Sequence, residues 1–357
     1  MRSYRIAVIP GDGIGKEVIP AGLEALRALQ ARAGNFELEV VEFPWGSDFY
    51  RETGRMMPED GLHQLRGFDA IYFGAVGDPN LPDSLTLWGL RLAICQGFDQ
   101  YANIRPTRVL PGLLSPLRGA VPGSIDWVIV RENSEGEYAG HGGRAHQGHE
   151  IEVATETSIF TRVGVERIMR TAFRIAASRP RKLLTVVTKS NAQKHGMVFW
   201  DEVAAKVAQD FPEVSWEKEL VDAMAARMVR KPGSIDTVVA TNLHADILSD
   251  LAGALAGSLG VAPTANLDPE RRAPSMFEPI HGSAFDITGM GIANPIATFW
   301  TACMMLEHLG EKPAADRLMR GIEVATANGV VTPDLGGKAR TADVTAAVVE
   351  AIRSAND

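Results

Sequence analysis

The sequence contains little cysteine, no long apolar run and no excess of basic residues. Cys95 and Cys303 are the two cysteines among 357 residues, which excludes a disulfide framework and a multi-cysteine zinc site and favours a reducing compartment. No apolar run reaches the length of a membrane span, and the N-terminus lacks the apolar core of a signal peptide. The formal net charge of −8 argues against a nucleic-acid or membrane-binding surface. We therefore expect a soluble cytoplasmic protein that binds neither nucleic acid nor membranes.

Strand-like and helical patterns alternate along a chain that is too long for one ordinary core. The alternation predicts an α/β fold with a largely parallel sheet. Residues 133–156, rich in Gly, His and Glu, have no helical period, and we expect a protruding loop or a β-hairpin arm there. Strands are expected over residues 5–9, 36–42, 70–73, 126–131 and 183–188, and helices over residues 17–31, 161–177 and 199–210.

A strand that leads directly into a helix, over residues 237–260, carries the first chemical signal. Asp246 and Asp250 lie four residues apart on this helix, where like charges are unfavourable unless a cation is near. One interpretation is that Asp246 caps the helix and Asp250 is solvated. Because the surrounding residues are small and apolar, we instead expect a buried helix whose carboxylates require a counter-ion. Mg²⁺ and Mn²⁺ take such oxygen ligands, so the pair predicts a divalent-metal site.

Two glycine-rich loops compete as the site of a nucleotide cofactor. Residues 11–15 follow a strand and open a helix, but their spacing is G-x-G-x-G, so a dinucleotide fingerprint and a simple tight turn remain equally good interpretations. Residues 278–286 offer backbone N–H groups, the imidazole of His281 and the carboxylate of Asp286, which is suited to a ribose diol.

Three basic residues lie in apolar surroundings close to strand ends. Arg105 precedes a proline, Arg131 ends the run Trp127-Val-Ile-Val130, and Lys189 ends a β-branched strand. The carboxyl ends of parallel strands face the crevice where α/β proteins bind ligands. Arginine grips carboxylates, and a lysine in such a place can act as a base. Combined with the aspartate pair, these residues predict a site for a small polycarboxylate held on a metal.

Several motifs together resemble one family, the metal-dependent, decarboxylating 2-hydroxyacid dehydrogenases that include isocitrate and isopropylmalate dehydrogenases. The resemblance extends over essentially the whole chain. Residues 88–89, 97–101 and 266–271 most resemble the tartrate and D-malate branch of that family. The motifs are residues 9–15, 103–106, 130–138, 188–191, 221–224, 242–250, 277–286 and 291–295.

The resemblance implies a two-domain fold and a homodimer with shared active sites. Residues 1–101 and 257–357 would form the first domain, on the cofactor side, and residues 102–256 the second, with the metal and substrate residues, the dimer interface and an arm. Because the carboxylates of one chain would be completed by a carboxylate of the other, the active site would lie between subunits.

The resemblance also assigns roles to individual residues. Asp246 and Asp250 would bind Mn²⁺ or Mg²⁺ together with the partner subunit's Asp222, and a monovalent cation such as K⁺ is a further candidate cofactor. Arg105 and Arg131 would hold substrate carboxylates. The catalytic residues would be Tyr138, the partner's Lys189 and the partner's Asp222. The NAD-binding residues would be Ile14, His281, Gly282, Ser283, Ala284, Asp286 and Asn294.

One position departs from the family pattern. The family usually has an arginine ten residues before Arg105, and this chain has Cys95 there. Arg91 stands one helical turn earlier, so we expect it to reach the same carboxylate with its long side chain. Trp88 and Arg91 would fill the space for a branched C3 substituent, which predicts D-malate or a tartrate isomer as the substrate.

Three alternatives remain at this stage. The first is a 3-isopropylmalate dehydrogenase, with Leu87, Leu90 and Leu92 as the apolar floor for its branched substrate. The second is a metal-free Rossmann dehydrogenase that binds its cofactor at residues 11–15. The third is a ligand-binding protein without catalytic activity.

Overall fold

The computed structural model describes residues 1–354, which form two compact units. Unit 1 comprises Met1–Gln100, Pro106–Ile125 and the chain from Ala252 onward, and unit 2 comprises Tyr101–Arg105 and Asp126–Leu251. Residues 106–125 therefore pack in unit 1. The domains expected from the sequence, residues 1–101 with 257–357 and residues 102–256, stay a prediction.

The helices and strands alternate along most of the chain. The strands are β1 (Arg2–Gly11), β2 (Phe36–Glu42), β3 (Ala70–Ala75), β4 (Ala102–Arg108), β5 (Asp126–Glu132), β6 (Gly136–Ala145), β7 (Val153–Ile159), β8 (Leu183–Thr188), β9 (Ser215–Leu220), β10 (Thr237–Ala240), β11 (Pro263–Leu267) and β12 (Ser275–Pro279). The helices are α1 (Gly15–Ala33), α2 (Ser47–Thr53), α3 (Gly61–Leu65), α4 (Asp83–Thr86), α5 (Leu92–Gly97), α6 (Arg162–Ser178), α7 (Gly196–Ala208), α8 (Val221–Arg230), α9 (Asn242–Ala256), α10 (Ile296–His308), α11 (Lys312–Ala327) and α12 (Thr341–Ser354).

The strands of unit 1 follow the order β2-β1-β3-β12-β11. Strands β2, β1, β3 and β12 pair in parallel, and β11 is antiparallel to β12. Every residue of β3 is buried, as expected for a parallel strand that is covered on both faces. The apolar faces of α1, α10, α11 and α12 complete one core of this unit.

The strands of unit 2 that follow the order β5-β10-β8-β9 are all parallel. Helix α6 shows how the sequence produces this arrangement. Thr161 caps its start by accepting a hydrogen bond from the Gly164 N–H at 3.0 Å, and Val165, Ile168, Met169, Ala172 and Phe173 form one buried stripe at helical spacing. The α/β fold with a largely parallel sheet is confirmed.

The segment without helical period is an antiparallel β-hairpin formed by β6 and β7. Most residues of both strands are exposed, so the hairpin is held mainly by its own pairing. Of the two alternatives expected from the sequence, the hairpin is correct. Its use as a dimer arm stays a prediction. Among residues 1–354, no helix has the length and apolar character needed to cross a membrane.

Candidate active site

One face of α9 gathers five of the residues singled out from the sequence. We call Arg105, Arg131, Tyr138, Asp246 and Asp250 the arginine–aspartate cluster. They come from β4, β5, β6 and α9, and all belong to unit 2. Helix α9 begins directly after β10. Glu137 caps its first turn by accepting hydrogen bonds from the hydroxyl of Thr241 at 2.9 Å and the N–H of Leu243 at 3.2 Å.

Arg131 is 3% exposed and its guanidinium is fixed on two sides. Its Nε and Nη2 donate to Oδ1 of Asn242 at 2.9 and 2.7 Å, and its Nη1 forms a close ion pair with Oδ1 of Asp246. The guanidinium also lies over the Tyr138 ring, 5.3 Å from its centroid. A buried cation held in this way is suited to binding a carboxylate.

Arg105 is 5% exposed and reaches the same face of α9 from β4. Its Nε donates to Oδ1 of Asn103 at 2.8 Å, and its Nη1 donates to Ser249 Oγ at 2.6 Å. Asp246 Oδ1 lies 3.4 Å and Asp250 Oδ1 3.9 Å from the same Nη1. Both arginines therefore share Asp246 as a counter-ion.

The aspartate pair is less buried than the sequence suggested. The side chains of Asp246 and Asp250 are 34% and 57% exposed, and Ile247 on the same helix is 59% exposed. Helix α9 buries the face of Ala245, Leu248, Ala252 and Leu255 instead. The expectation of a buried carboxylate pair is wrong, because an apolar residue next to Asp246, Ile247, lies on the exposed face of the helix. The pair does have counter-ions, but in this chain they are the arginines.

The two carboxylates fit a hard divalent cation. Partial removal from water raises the pKa of Asp250, Arg105 opposes this rise and the charge of Asp246 adds to it. A cation would relieve that repulsion, and two carboxylates leave room for the substrate and water oxygens that Mg²⁺ and Mn²⁺ prefer. Within the described chain, no group of three or more His, Cys, Asp or Glu side chains is arranged to hold a metal. A single chain thus contributes two carboxylates to such a site.

Tyr138 and Lys189 take different positions relative to the cluster. The Tyr138 hydroxyl donates to Oδ2 of Asp246 at 3.3 Å, which places its proton beside the carboxylates. Lys189 Nζ instead forms an ion pair with Asp222 Oδ1 at 2.5 Å, and the hydrogen bond from Lys189 lowers the pKa of Asp222. Over residues 1–354, the side chains of Lys189 and Asp222 make no hydrogen bond or ion pair with the cluster.

Arg91 and Trp88 lie in unit 1, in a π-helical turn over Leu87–Arg91 between α4 and α5. Arg91 Nε and Nη2 approach Oε1 of Glu278 at 2.8 and 2.7 Å, and Asn266 Nδ2 donates to the same oxygen at 2.7 Å. Both charged side chains are almost fully buried. Arg91 was expected to reach a substrate carboxylate, and in this chain its guanidinium is paired with the carboxylate of Glu278. Trp88 is 38% exposed.

Cys95 does not share the environment of Arg91. It is 1% exposed and belongs to an apolar core cluster of unit 1 with Leu90 and Ile94. The two positions are one helical turn apart, and Arg91 reaches Asn266 of β11 and Glu278 of β12. That Arg91 replaces the missing arginine in substrate binding stays a prediction.

The loop after β12 has the features of a nucleotide site. Burial lowers the pKa of His281, which keeps its imidazole neutral, and its Nε2 is buried without a hydrogen-bond partner among the described residues. Asp286 is exposed, and neither hydrogen bonds nor ion pairs involve its side chain within residues 1–354. The Asn294 amide donates to Asp334 at 2.9 Å and accepts from the Ile296 N–H at 3.0 Å. An orphaned ring nitrogen and an available carboxylate fit an adenosine moiety.

The loop of residues 11–15 packs against this second loop. The Ile14 N–H donates to the Ser283 carbonyl at 2.8 Å, and a Cβ on Gly13 would lie 2.0 Å from that carbonyl oxygen. Asp12 is buried and accepts from Ser47 N–H and Oγ at 2.7 Å each and from Gly77 N–H at 3.0 Å. Protein atoms therefore occupy the space above the glycines, which favours the tight-turn interpretation over a Rossmann phosphate cradle.

Sequence reasoning missed three polar residues that fix arginine side chains, two of them in the arginine–aspartate cluster and one at Arg91. Asn242 and Ser249 contact Arg131 and Arg105 respectively, and Glu278 contacts Arg91. For the first two a signal existed, since residues 242, 246, 249 and 250 recur on one helical face. Glu278 gave no such signal.

Together, the parallel α/β fold and the arginine–aspartate cluster are typical of the α/β class of proteins that bind small acidic ligands near strand ends. Residues 5–352 match the model of the family described as isocitrate/isopropylmalate dehydrogenase. The chain belongs to this family and is an oxidoreductase.

Individual relatives agree with this membership. The chain is 70% identical over 356 residues to a probable tartrate dehydrogenase/decarboxylase of Agrobacterium vitis, covering 100% of this chain and 99% of the relative. It is 50% identical over 359 residues to the decarboxylating D-malate dehydrogenase of Escherichia coli K12, covering 99% of each. A crystal structure of isocitrate dehydrogenase from Methylococcus capsulatus matches with a TM-score of 0.88 and 33% identity, over 98% of this chain and 100% of that one.

Proposed function

We propose that the enzyme oxidises a small 2-hydroxy diacid, D-malate or a tartrate isomer, at C2 with NAD and a divalent metal, and removes the β-carboxylate. The observation that carries this proposal is the pair of buried arginines, Arg105 and Arg131, that converge on the carboxylates of α9. The names of the relatives at 70% and 50% identity support the choice of substrate. A cytoplasmic location is part of the same proposal.

In this proposal each arginine binds one end of the substrate. The Nε groups of Arg105 and Arg131 donate to the neutral side chains of Asn103 and Asn242, and a diacid matches two such cations. Two carboxylates on a short carbon chain therefore satisfy both arginines at once, which orients C2 toward the cofactor.

Two protons must move during the reaction, and we assign one residue to each. The partner's Lys189 takes the proton of the C2 hydroxyl as the hydride leaves, and Tyr138 Oη returns a proton to the carbon that loses CO₂. A bound divalent metal would supply Lewis-acid polarisation of the substrate oxygens, and NAD would accept the hydride. Asp246 and Asp250 would hold the metal, with the partner subunit's Asp222.

The test of the chemistry is turnover with and without a chelator. NADH formation from D-malate, meso-tartrate and L-tartrate should fall to background with excess EDTA and return on adding Mn²⁺ or Mg²⁺. Activity that resists EDTA would refute the role of Asp246 and Asp250 and favour metal-free dehydrogenation. If no NADH forms with any of these diacids while the metal is present, the proposal that small 2-hydroxy diacids are the substrates is refuted.

NAD is proposed over NADP because of Asp286. Its carboxylate suits a ribose diol and would repel a 2′-phosphate. The kcat/KM with NAD divided by the kcat/KM with NADP measures this preference. Asp286→Asn should lower this ratio, because it should raise the kcat/KM with NADP. A wild-type enzyme that uses both cofactors equally would contradict the assignment.

A homodimer with shared sites is proposed to bring Lys189 and Asp222 of one subunit to the cluster of the other. Mixing the inactive variants Lys189→Ala and Asp250→Asn should restore activity, because some heterodimers carry one intact site. Mass spectrometry of the mixture must first show that subunits exchange. Exchange without recovery would refute the shared site.

The alternative substrate, 3-isopropylmalate, has weaker support. Of the three leucines expected to form its apolar floor, Leu90 and Leu92 are 0% and 3% exposed, and only Leu87 is partly exposed. Burial of two of the three weighs against an apolar floor that is open to a substrate. Arg91 and Glu278 bring a polar pair to the same helical segment. A higher kcat/KM for 3-isopropylmalate than for D-malate and the tartrates would overturn our choice.

A further inference from the structure

One face of α9 holds both buried arginines through neutral side chains. Asn242 binds Nε and Nη2 of Arg131 through one amide oxygen, and Ser249 accepts from Nη1 of Arg105 at 2.6 Å. Asp246 lies between them on the same face and contacts both guanidinium groups. Positions 242, 246 and 249 are spaced by four and three residues, which places them in one row along a helix.

The orientation of each neutral partner is itself fixed. Asn242 is 2% exposed, and its Nδ2 donates to the Glu135 carbonyl at 3.2 Å, which leaves Oδ1 facing Arg131. Ser249 is 1% exposed, and its hydroxyl donates to the Asp246 carbonyl at 3.0 Å, which turns its lone pairs toward Arg105. Neither side chain can rotate away without leaving a buried polar group unsatisfied.

A neutral partner has a different effect from a carboxylate. Arg91 is held by Glu278, and the pair has no net charge to offer a diacid. Asn242 and Ser249 fix the guanidinium groups without adding negative charge to the cluster, in which Asp246 and Asp250 already face the two arginines. An acceptor that fixes an arginine without neutralising it is what a carboxylate-binding site requires.

We propose that Asn242 and Ser249 are positioning residues that aim Arg131 and Arg105 at the two carboxylates of the substrate. This inference rests on the proposed function, since it takes both arginines as substrate ligands. It predicts that losing either neutral partner weakens diacid binding and leaves the chemical step largely intact.

Steady-state kinetics of Asn242→Ala and Ser249→Ala, with saturating NAD and Mn²⁺, tests the proposal. We expect the KM for D-malate and the inhibition constant of succinate, which has two carboxylates but no hydroxyl, to rise about 10-fold to 100-fold, as for loss of a hydrogen bond to a charged group. The kcat should change far less. The Kd for Mn²⁺, measured by electron paramagnetic resonance, should stay within about twofold of wild type.

Asn242→Asp separates positioning from packing. It keeps an acceptor oxygen for Arg131 but adds the negative charge that the native amide avoids, so its KM should rise at least as much as that of the alanine variant. Thr345→Val is the matched structural control. Thr345 is a buried helical residue of unit 1 whose hydroxyl donates to the Thr341 carbonyl at 2.7 Å, so the variant loses the same kind of hydrogen bond away from the cluster. Its KM should equal that of wild type.

The possible failures are distinguishable. A wild-type enzyme without activity on any diacid refutes the proposed function, and calorimetric binding of succinate then decides the positioning role on its own. With an active enzyme, a KM within twofold of wild type in both alanine variants, or in Asn242→Asp, overturns the inference. If Arg131→Ala leaves the KM unchanged, Arg131 is not a ligand and the role of Asn242 falls with it.

Discussion

Glu132 should make the stability of this protein fall as pH rises toward neutrality. Its side chain is 2% exposed, and its carboxylate accepts the N–H groups of Ser134 and Glu135 at 2.9 Å each and the Ser134 hydroxyl. Burial nevertheless dominates, because removal of the charged form from water raises the pKa of Glu132 from 4.5 to about 7. The perturbation that tests this balance is Glu132→Gln, which replaces a titrating group by a neutral one.

The size of the effect follows from the pKa in the folded and unfolded chain. A tenfold change in proton affinity is worth about 1.4 kcal/mol, so a rise from 4.5 to about 7 is worth about 3 kcal/mol. Because the folded pKa is raised, this contribution to stability is fully present below pH 4.5 and is lost as pH rises through about 7. The glutamine variant carries no such dependence.

Urea unfolding of both proteins at pH 5 and pH 8.5 measures the effect. The difference in free energy of unfolding, variant minus wild type, should be about 2 to 3 kcal/mol more favourable to the variant at pH 8.5 than at pH 5. Taking this double difference cancels the constant cost of altered hydrogen bonds. A difference that does not change with pH would show that Glu132 titrates normally and that its hydrogen bonds outweigh burial.

Two further perturbations probe unit 1. Glu278→Ala removes the carboxylate that faces the buried guanidinium of Arg91. Because breaking a buried ion pair costs about 3 to 5 kcal/mol, the free energy of unfolding should fall by that amount in denaturant unfolding. A fall of less than about 1 kcal/mol would contradict this expectation. Gly13 has a left-handed φ of 51°, and a Cβ at this position would meet the Ser283 carbonyl. Gly13→Ala should therefore lower the free energy of unfolding by at least about 1 kcal/mol and raise the KM for NAD. An unchanged KM would show that this loop takes no part in cofactor binding.

The fold was predictable because local patterns and tertiary packing agree. The β-branched run at β10 and the helical spacing after it indicated a strand leading to a helix, and both form. The sequence pattern did not locate the boundary between strand and helix within residues 237–260, and the structure begins α9 at Asn242. Glu137, far away in sequence, caps the first turn, and such a contact is invisible to a local pattern.

The candidate site was predictable in its residue types but not in its pairings. Arg105 and Arg131 were expected near a ligand because strand ends meet at one edge of a parallel sheet. The partner of Arg91 lies 187 residues away at Glu278, and a sequence alone does not show which acid meets which base. The exposure of Asp246 was misjudged because Ile247 is apolar yet 59% exposed in the single chain, and apolar character alone does not identify the buried face.

The row of side chains on α9 restricts which changes of chain length this segment tolerates. One inserted residue between Asn242 and Ser249 rotates everything after it by about 100° around the helix axis. Ser249 would then turn away from Arg105 while Asn242 stayed bonded to Arg131, so one helix face would no longer hold both arginines. A substitution here changes one contact, whereas a length change displaces every contact that follows it on the helix. The turn of the β6–β7 hairpin, whose residues are exposed, is where additions and deletions should be tolerated.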